Sequence, residues 1–206
     1  VEAEKMLKFY GTSKSRSARS LWALEELGLK YEHVPVEVSQ AKSPENFKRN
    51  PNGHIPVLED DGVTLWESMA INLYLAEKYG KAPFWPSSAA DHGHAYKWSF
   101  WGMTEVEPRL MAILTHRIFL PADQRDEKVV AQSLEALKAP LKVLDDTVKG
   151  QAHLLGNDFS IADLNVAAIL SFAMLAKVDF GPTPAAGAWL NKCLGREANQ
   201  RVRALK

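Results

Sequence analysis

Near residue 80 the periodicity of the chain changes, so its fold must hold two kinds of packing. Upstream, Leu7-Lys8-Phe9-Tyr10 has the alternation of a strand and meets Gly11. Leu21, Trp22, Leu24, Leu27 and Leu29 then recur at helical spacing, with Gly28 placed to end that helix in the left-handed region. Tyr31 to Val38 alternates again. Strand, helix, strand in this order implies a parallel pair joined by a right-handed crossover. A polar stretch, Gln40 to Arg49, leads to Asn50-Pro51-Asn52-Gly53-His54-Ile55-Pro56, which is dense in turn formers. Val57-Leu58-Glu59 and Val63-Thr64-Leu65-Trp66 flank Asp60-Asp61-Gly62, and the Asp-Gly pair suits a tight hairpin. A helix over Ser68 to Tyr79 closes this part.

Downstream the strand signal disappears. Lys81 to Ser88 carries two prolines and no periodicity, and reads as a linker. Asp91 to His116 places Trp98, Trp101, Leu110 and Leu114 on one helical stripe, with a kink expected at Pro108. Glu127 to Val148 repeats apolar residues at three and four around Pro140. Ser160, with Asp163 three residues later, opens a third helix as a capping box in which Asp replaces the usual Glu or Gln, and Phe159 and Leu164 stand at staple positions. The expected class is α+β: a βαβ-ββα domain of thioredoxin-like order over 5–80, a linker over 81–90, and an all-α helical bundle over 91–206.

Composition narrows the function. Twenty-five basic and 25 acidic side chains cancel, so no global field favours nucleic acid. The single cysteine, Cys193, excludes an internal disulfide framework and, being far from the first domain, excludes a protein-thiol redox centre there. No apolar run reaches the roughly 18 residues of a membrane span, and a cytoplasmic protein is expected.

Three stretches place polar groups at strand ends or helix starts. Gly11-Thr12-Ser13-Lys14-Ser15-Arg16-Ser17 precedes the first helix, whose N-terminal N–H groups attract anions; a serine there is an aimed donor or an ordinary N-cap. In His54-Ile55-Pro56, an X-Pro bond held cis would leave the preceding backbone polar groups for a ligand's own backbone. Glu67-Ser68, where a strand turns into a helix, can receive an ammonium and a carboxylate, or is simply a first-turn acid beside a cap. His92 and His94 lack a third ligand at recognisable spacing, so no metal is expected.

The stretches GTSKSRSARSLWALEELG (Gly11 to Gly28), NPNGHIPVLEDDGVTLWES (Asn50 to Ser68) and FSIADLNVA (Phe159 to Ala167) together resemble the soluble glutathione transferase family, over nearly the whole chain. The pattern is most similar to bacterial serine-type members, near the phi and theta groups. The resemblance implies glutathione as cosubstrate, a small hydrophobic electrophile as second substrate, and a homodimer. It gives Ser15 the hydrogen bond to the glutathione sulfur, with Ser13 and Ser17 as rivals. It gives Ile55 the backbone pairing to the cysteinyl part, Pro56 the cis proline and His54 a side-chain contact. Glu67 and Ser68 take the γ-glutamyl end, and Lys42 the glycyl carboxylate. Trp98, Trp101 and Met111 would supply the wall for the electrophile, although such a stripe is also what a plain core looks like. Asp163 is given a folding role. Two other readings stay open: a glutathione-dependent disulfide reductase or peroxidase, and a non-catalytic interaction module that keeps the fold.

Overall fold

Strand β1 (Leu7–Gly11) is buried over most of its length because it runs between two neighbours. The computed structural model describes residues 7–205. It pairs β1 in parallel with β2 (Tyr31–Pro35) and antiparallel with β3 (Val57–Asp60), and β4 (Val63–Trp66) completes a sheet of order β2-β1-β3-β4. Helix α1 (Ser17–Glu26) is the β1-to-β2 crossover, and Gly28, at φ 63°, follows its C-cap. Asp61 and Gly62, at φ 48° and 83°, make the β3–β4 turn with both central residues in the left-handed region, as the Asp-Gly pair implied. Helix α3 (Ser68–Tyr79) follows β4.

Two local departures from the sequence pattern have physical causes. The second strand ends at Pro35, short of Val38, because its partner β1 ends at Gly11: the Val36 N–H to the Gly11 carbonyl, at 3.3 Å, closes the last pair of the parallel ladder. The polar stretch contains a helix, α2 (Pro44–Arg49), started by Ser43, whose hydroxyl accepts the Asn46 N–H at 3.3 Å, and by Pro44 in the first turn.

The hairpin is fastened to α3 through Asp60. This carboxylate is buried and accepts hydrogen bonds from Tyr74, Tyr79 and Lys78. Burial pushes its pKa up, but the donors from Lys78, Tyr79 and Tyr74 outweigh it and hold the group below the usual carboxylate range.

The chain divides into two units, one running up to Lys81 and resuming at Arg196, the other Ala82–Gly195. The boundary expectations began at residue 5 and ended at residue 206; Lys5, Met6 and Lys206 lie outside the described residues. The second unit holds α4 (Ala89–Trp101), α5 (Glu107–Leu114), α6 (Glu127–Val148), α7 (Ile161–Leu175) and α8 (Pro184–Leu194). The stripe over Asp91 to His116 is helical throughout, with its irregularity directly before Pro108: a five-residue π segment, Gly102–Val106, joins α4 to α5 and leaves Pro108 in the first turn of α5. The proline-containing stretch after Lys81 is folded into this unit: Trp85 is buried, and the Phe84 carbonyl accepts the Ile161 N–H at 2.9 Å. No described helix is long and apolar enough to cross a membrane.

The last helix, α9 (Glu197–Ala204), belongs with the first unit, whereas the sequence pattern groups it with the bundle. It packs on α1. Arg196 forks onto the Glu26 carboxylate, Arg201 Nε reaches Glu25 at 2.8 Å, and Ser13 Oγ donates to the Leu205 carbonyl at 3.2 Å.

Candidate functional site

Strand register brings the three polar stretches to one end of the sheet. Tyr10 pairs with Val57, and Val57 with Trp66, so one row across the sheet ends in three segments: Gly11 to Arg16, His54 to Pro56, and Glu67 to Ser68. Two strand spacings separate the outer members of that row, about 10 Å. That is also the reach of roughly three extended residues.

At the first segment, α1 begins without a side-chain cap from its N-cap residue, Arg16. Ser15 supplies the bond instead: its Oγ accepts the Ser17 N–H at 3.1 Å and stands 3.0 Å from the Thr12 carbonyl and 2.9 Å from Ser17 Oγ. Ser15 is half-buried, Ser17 wholly buried, and Ser13 is bonded to the C-terminal segment. Of the three serines, Ser15 alone combines access with a place at the positive end of a helix. Gly11 makes the turn possible by its lack of a side chain: a Cβ there would stand 2.3 Å from Ser17 Oγ and 2.6 Å from Ser17 Cβ. Gly11→Ala is therefore expected to push the head of α1 away and lose about 2 kcal/mol of stability, read by thermal or urea denaturation. An unchanged midpoint would show that the contact is soft.

At the second segment the Ile55–Pro56 peptide is cis. Among the described residues neither the Ile55 N–H nor its carbonyl is used in a hydrogen bond. The preceding carbonyl, that of His54, is held twice, by Asn46 Nδ2 at 3.1 Å and Asn50 Nδ2 at 2.9 Å. Both asparagines are buried, and Asn46 Nδ2 also reaches the Ala41 carbonyl at 2.7 Å. The turn is thus pinned from α2 while the Ile55 backbone stays open. The His54 side chain is exposed; Lys42 is exposed as well, with its stem running beside Gly53.

At the third segment Glu67 is an exposed non-glycine residue at φ 73°, a conformation that costs about 1–3 kcal/mol and persists only where the surroundings impose it. It is the N-cap residue of α3, and its carbonyl accepts the Ile71 N–H at 2.9 Å. Ser68 is buried beside it, and its carbonyl receives Ser20 Oγ from α1 at 3.4 Å. Ser15, Ile55, Pro56, Glu67 and Ser68 are therefore assembled at one sheet end, with His54 and Lys42 on the α2 side.

Trp98, Trp101 and Met111 lie in the other unit. Trp98 is buried and meets Trp101 edge to face, ring centroids 5.0 Å apart, while Trp101 and Met111 are half-buried. His92 stacks on Trp85 and bonds the Pro86 carbonyl.

One cluster with metal-ligand chemistry occurs among the described residues: His153, Asp163 and Cys193 present ligand atoms within 4.8 Å of one another, all buried. The Asp163 oxygens are already taken. Oδ1 faces His153 Nδ1, Leu154 N–H and Trp189 Nε1–H, and Oδ2 faces the N–H and hydroxyl of Ser160. A carboxylate offers about four lone-pair positions, so no acceptor capacity remains for a cation. The group is the capping box of α7, closed at both ends.

Comparison with known proteins follows the same division. Residues 5–77 match the family model of the glutathione S-transferase N-terminal domain, and residues 106–197 that of its C-terminal domain. Glutathione S-transferase GstB of Escherichia coli is 28% identical, the match covering 96% of this chain and 97% of that one. Glutathione S-transferase 1 of Zea mays is 32% identical over 97% and 96% of the two chains. The crystal structure of a theta class glutathione S-transferase from Xanthomonas axonopodis pv. citri, with glutathione bound, superposes with a TM-score of 0.86 at 26% identity, covering 95% of each chain.

Proposed function

The chain belongs to the glutathione S-transferase family, and on that premise we propose that it binds glutathione at the end of its four-stranded sheet and transfers the thiolate to small hydrophobic electrophiles. The observation that carries the proposal is the row Tyr10, Val57, Trp66, which sets a half-exposed serine, an open backbone pair and a positive-φ acid at spacings that fit a tripeptide.

On this reading the Ile55 N–H and carbonyl pair with the cysteinyl backbone. Glu67 takes the γ-glutamyl ammonium, Ser68 its carboxylate, and Lys42 and His54 attend the glycyl end. Ser15 donates to the sulfur at the head of α1. The thiolate then attacks an activated carbon: a sulfur–carbon bond forms, the leaving group departs with its bonding pair, and the thiol proton passes to solvent. Trp101 and Met111 are half-buried and keep apolar surface that buried Trp98 lacks, which favours them over Trp98 as contacts for an electrophile. The homodimer belongs to the same proposal, supported by the exposed apolar side chains Val63 and Trp66 on edge strand β4.

Thiol activation is one part of the rate. A thiol of pKa near 8.5 is only ~3% thiolate at neutral pH, and lowering it to about 6.5 needs ~2.7 kcal/mol of preferential anion stabilisation. One charge-assisted hydrogen bond with helix-dipole help supplies roughly that. Thiolate rises about 25-fold while nucleophilicity falls about 8-fold, a net gain of about threefold. Holding the electrophile against the sulfur supplies the rest.

A panel of an activated aryl halide, an organic hydroperoxide and a mixed glutathione disulfide tests the reaction class. The aryl halide is expected to turn over, with the thioether product identified by mass. Turnover of the disulfide alone would replace conjugation with reduction. No turnover, together with no retention on immobilised glutathione, would leave a non-catalytic module.

A further inference from the structure

Ser17 has no access of its own to a ligand, yet its hydroxyl bears on what Ser15 can do. It is 0% exposed, and among the described residues its Oγ has one hydrogen-bond partner, Ser15 Oγ at 2.9 Å. A buried hydroxyl proton is costly to leave unpaired, so the Ser17 proton lies on the line to Ser15. The Ser15 proton has a destination of its own, the Thr12 carbonyl at 3.0 Å. Ser15 Oγ also accepts the Ser17 N–H at 3.1 Å. Two donors from one buried residue therefore fill both lone pairs of the Ser15 oxygen.

Resting on the proposed role of Ser15, we infer that Ser17 is a positioning residue that makes Ser15 a donor only. A serine oxygen with a free lone pair can accept from a thiol S–H as readily as its proton can serve a thiolate. With both lone pairs occupied, Ser15 has only its proton to offer, and the site favours the thiolate over the thiol. The Ser17 hydroxyl also polarises the Ser15 O–H and strengthens it as a donor. On binding, the Ser15 proton swings from the Thr12 carbonyl to the sulfur while both bonds to its oxygen persist. The bare Gly11 backbone leaves the room in which Ser17 sits.

The test titrates the ultraviolet thiolate absorbance of bound glutathione in four proteins: parent, Ser17→Ala, Ser15→Ala and the double variant. Ser17→Ala is expected to raise the pKa of the bound thiol by about 0.5 pH unit and, after the gain in nucleophilicity of the more basic thiolate, to lower kcat/KM on the acid side about twofold. Affinity for S-methylglutathione, which has no thiol proton, should be unchanged. In the Ser15→Ala background Ser17→Ala should add nothing, because the effect runs through Ser15. A bound-thiol pKa unmoved by Ser17→Ala, or moved equally in both backgrounds, overturns the inference. A pKa unmoved by Ser15→Ala overturns the serine reading beneath it. Should the alanine variant fail to fold, Ser17→Cys keeps a weak donor of similar shape, and an intermediate shift is expected; a full parental value there would again overturn the inference.

Discussion

Ser15→Ala is expected to slow conjugation of an activated aryl halide at least tenfold at pH 6, with glutathione still retained on an affinity matrix. The loss should shrink as pH rises. At pH 6 a bound thiol of pKa about 6.5 is roughly a quarter ionised and one of about 8.5 only ~0.3%, a ratio of about 76. The more basic thiolate of the variant recovers about eightfold in nucleophilicity, leaving about tenfold before any loss of aim at the sulfur. Above pH 8.5 both proteins hold mostly thiolate, and the chemical part of the deficit reverses, because the variant's more basic thiolate is then about eightfold the better nucleophile. A deficit of equal size at pH 6 and pH 9 would mean that Ser15 only positions the sulfur. Unchanged rates at both would move the role to another residue of the loop.

Asp163→Ala should have the largest effect on stability, about 4 kcal/mol, with the melting temperature falling roughly 10 °C. The carboxylate is wholly buried, and its removal strands the Leu154 and Ser160 N–H groups, Trp189 Nε1–H and the His153 ring, partners from three segments of the helical unit. Leaving such donors buried and unsatisfied costs more than the bonds contribute. Asp163→Asn, which keeps one acceptor oxygen, should lose about half as much. The residue lies in the unit that does not carry Ser15. Chemical denaturation followed by circular dichroism measures both variants; a loss under about 1 kcal/mol for alanine would show that water replaces the carboxylate.

What could be read in the sequence follows from how local each signal is. The βαβ-ββα order, the hairpin turn at Asp61-Gly62 and the α7 capping box depend on neighbouring residues, and the structure contains all three. Helix α2 has no apolar period over its six residues, and only its start chemistry, Ser43 before Pro44, announces it. The hold of Asn46 and Asn50 on the His54 carbonyl had no such signal, because an asparagine in a polar stretch looks the same whether it is solvated or buried. The positive φ of Glu67 is likewise invisible in a residue that takes that conformation rarely. The ranking of the three serines turned on burial: Ser13, Ser15 and Ser17 are equivalent as letters, and it is the close approach of Gly11 that closes off Ser17.

The return of α9 to α1 has a bearing on how the molecule is made. The first unit holds all the polar stretches assembled at the sheet end, but its α1 face is completed by residues from Arg196 onward, clamped at Glu25 and Glu26. A chain emerging from the ribosome exposes that face until synthesis has passed through the whole second unit. The Ser13-to-Leu205 bond then ties the last described residue to the loop that carries Ser15. Loss of the segment around Leu205 consequently acts on the serine loop, though the two partners lie 192 positions apart along the chain.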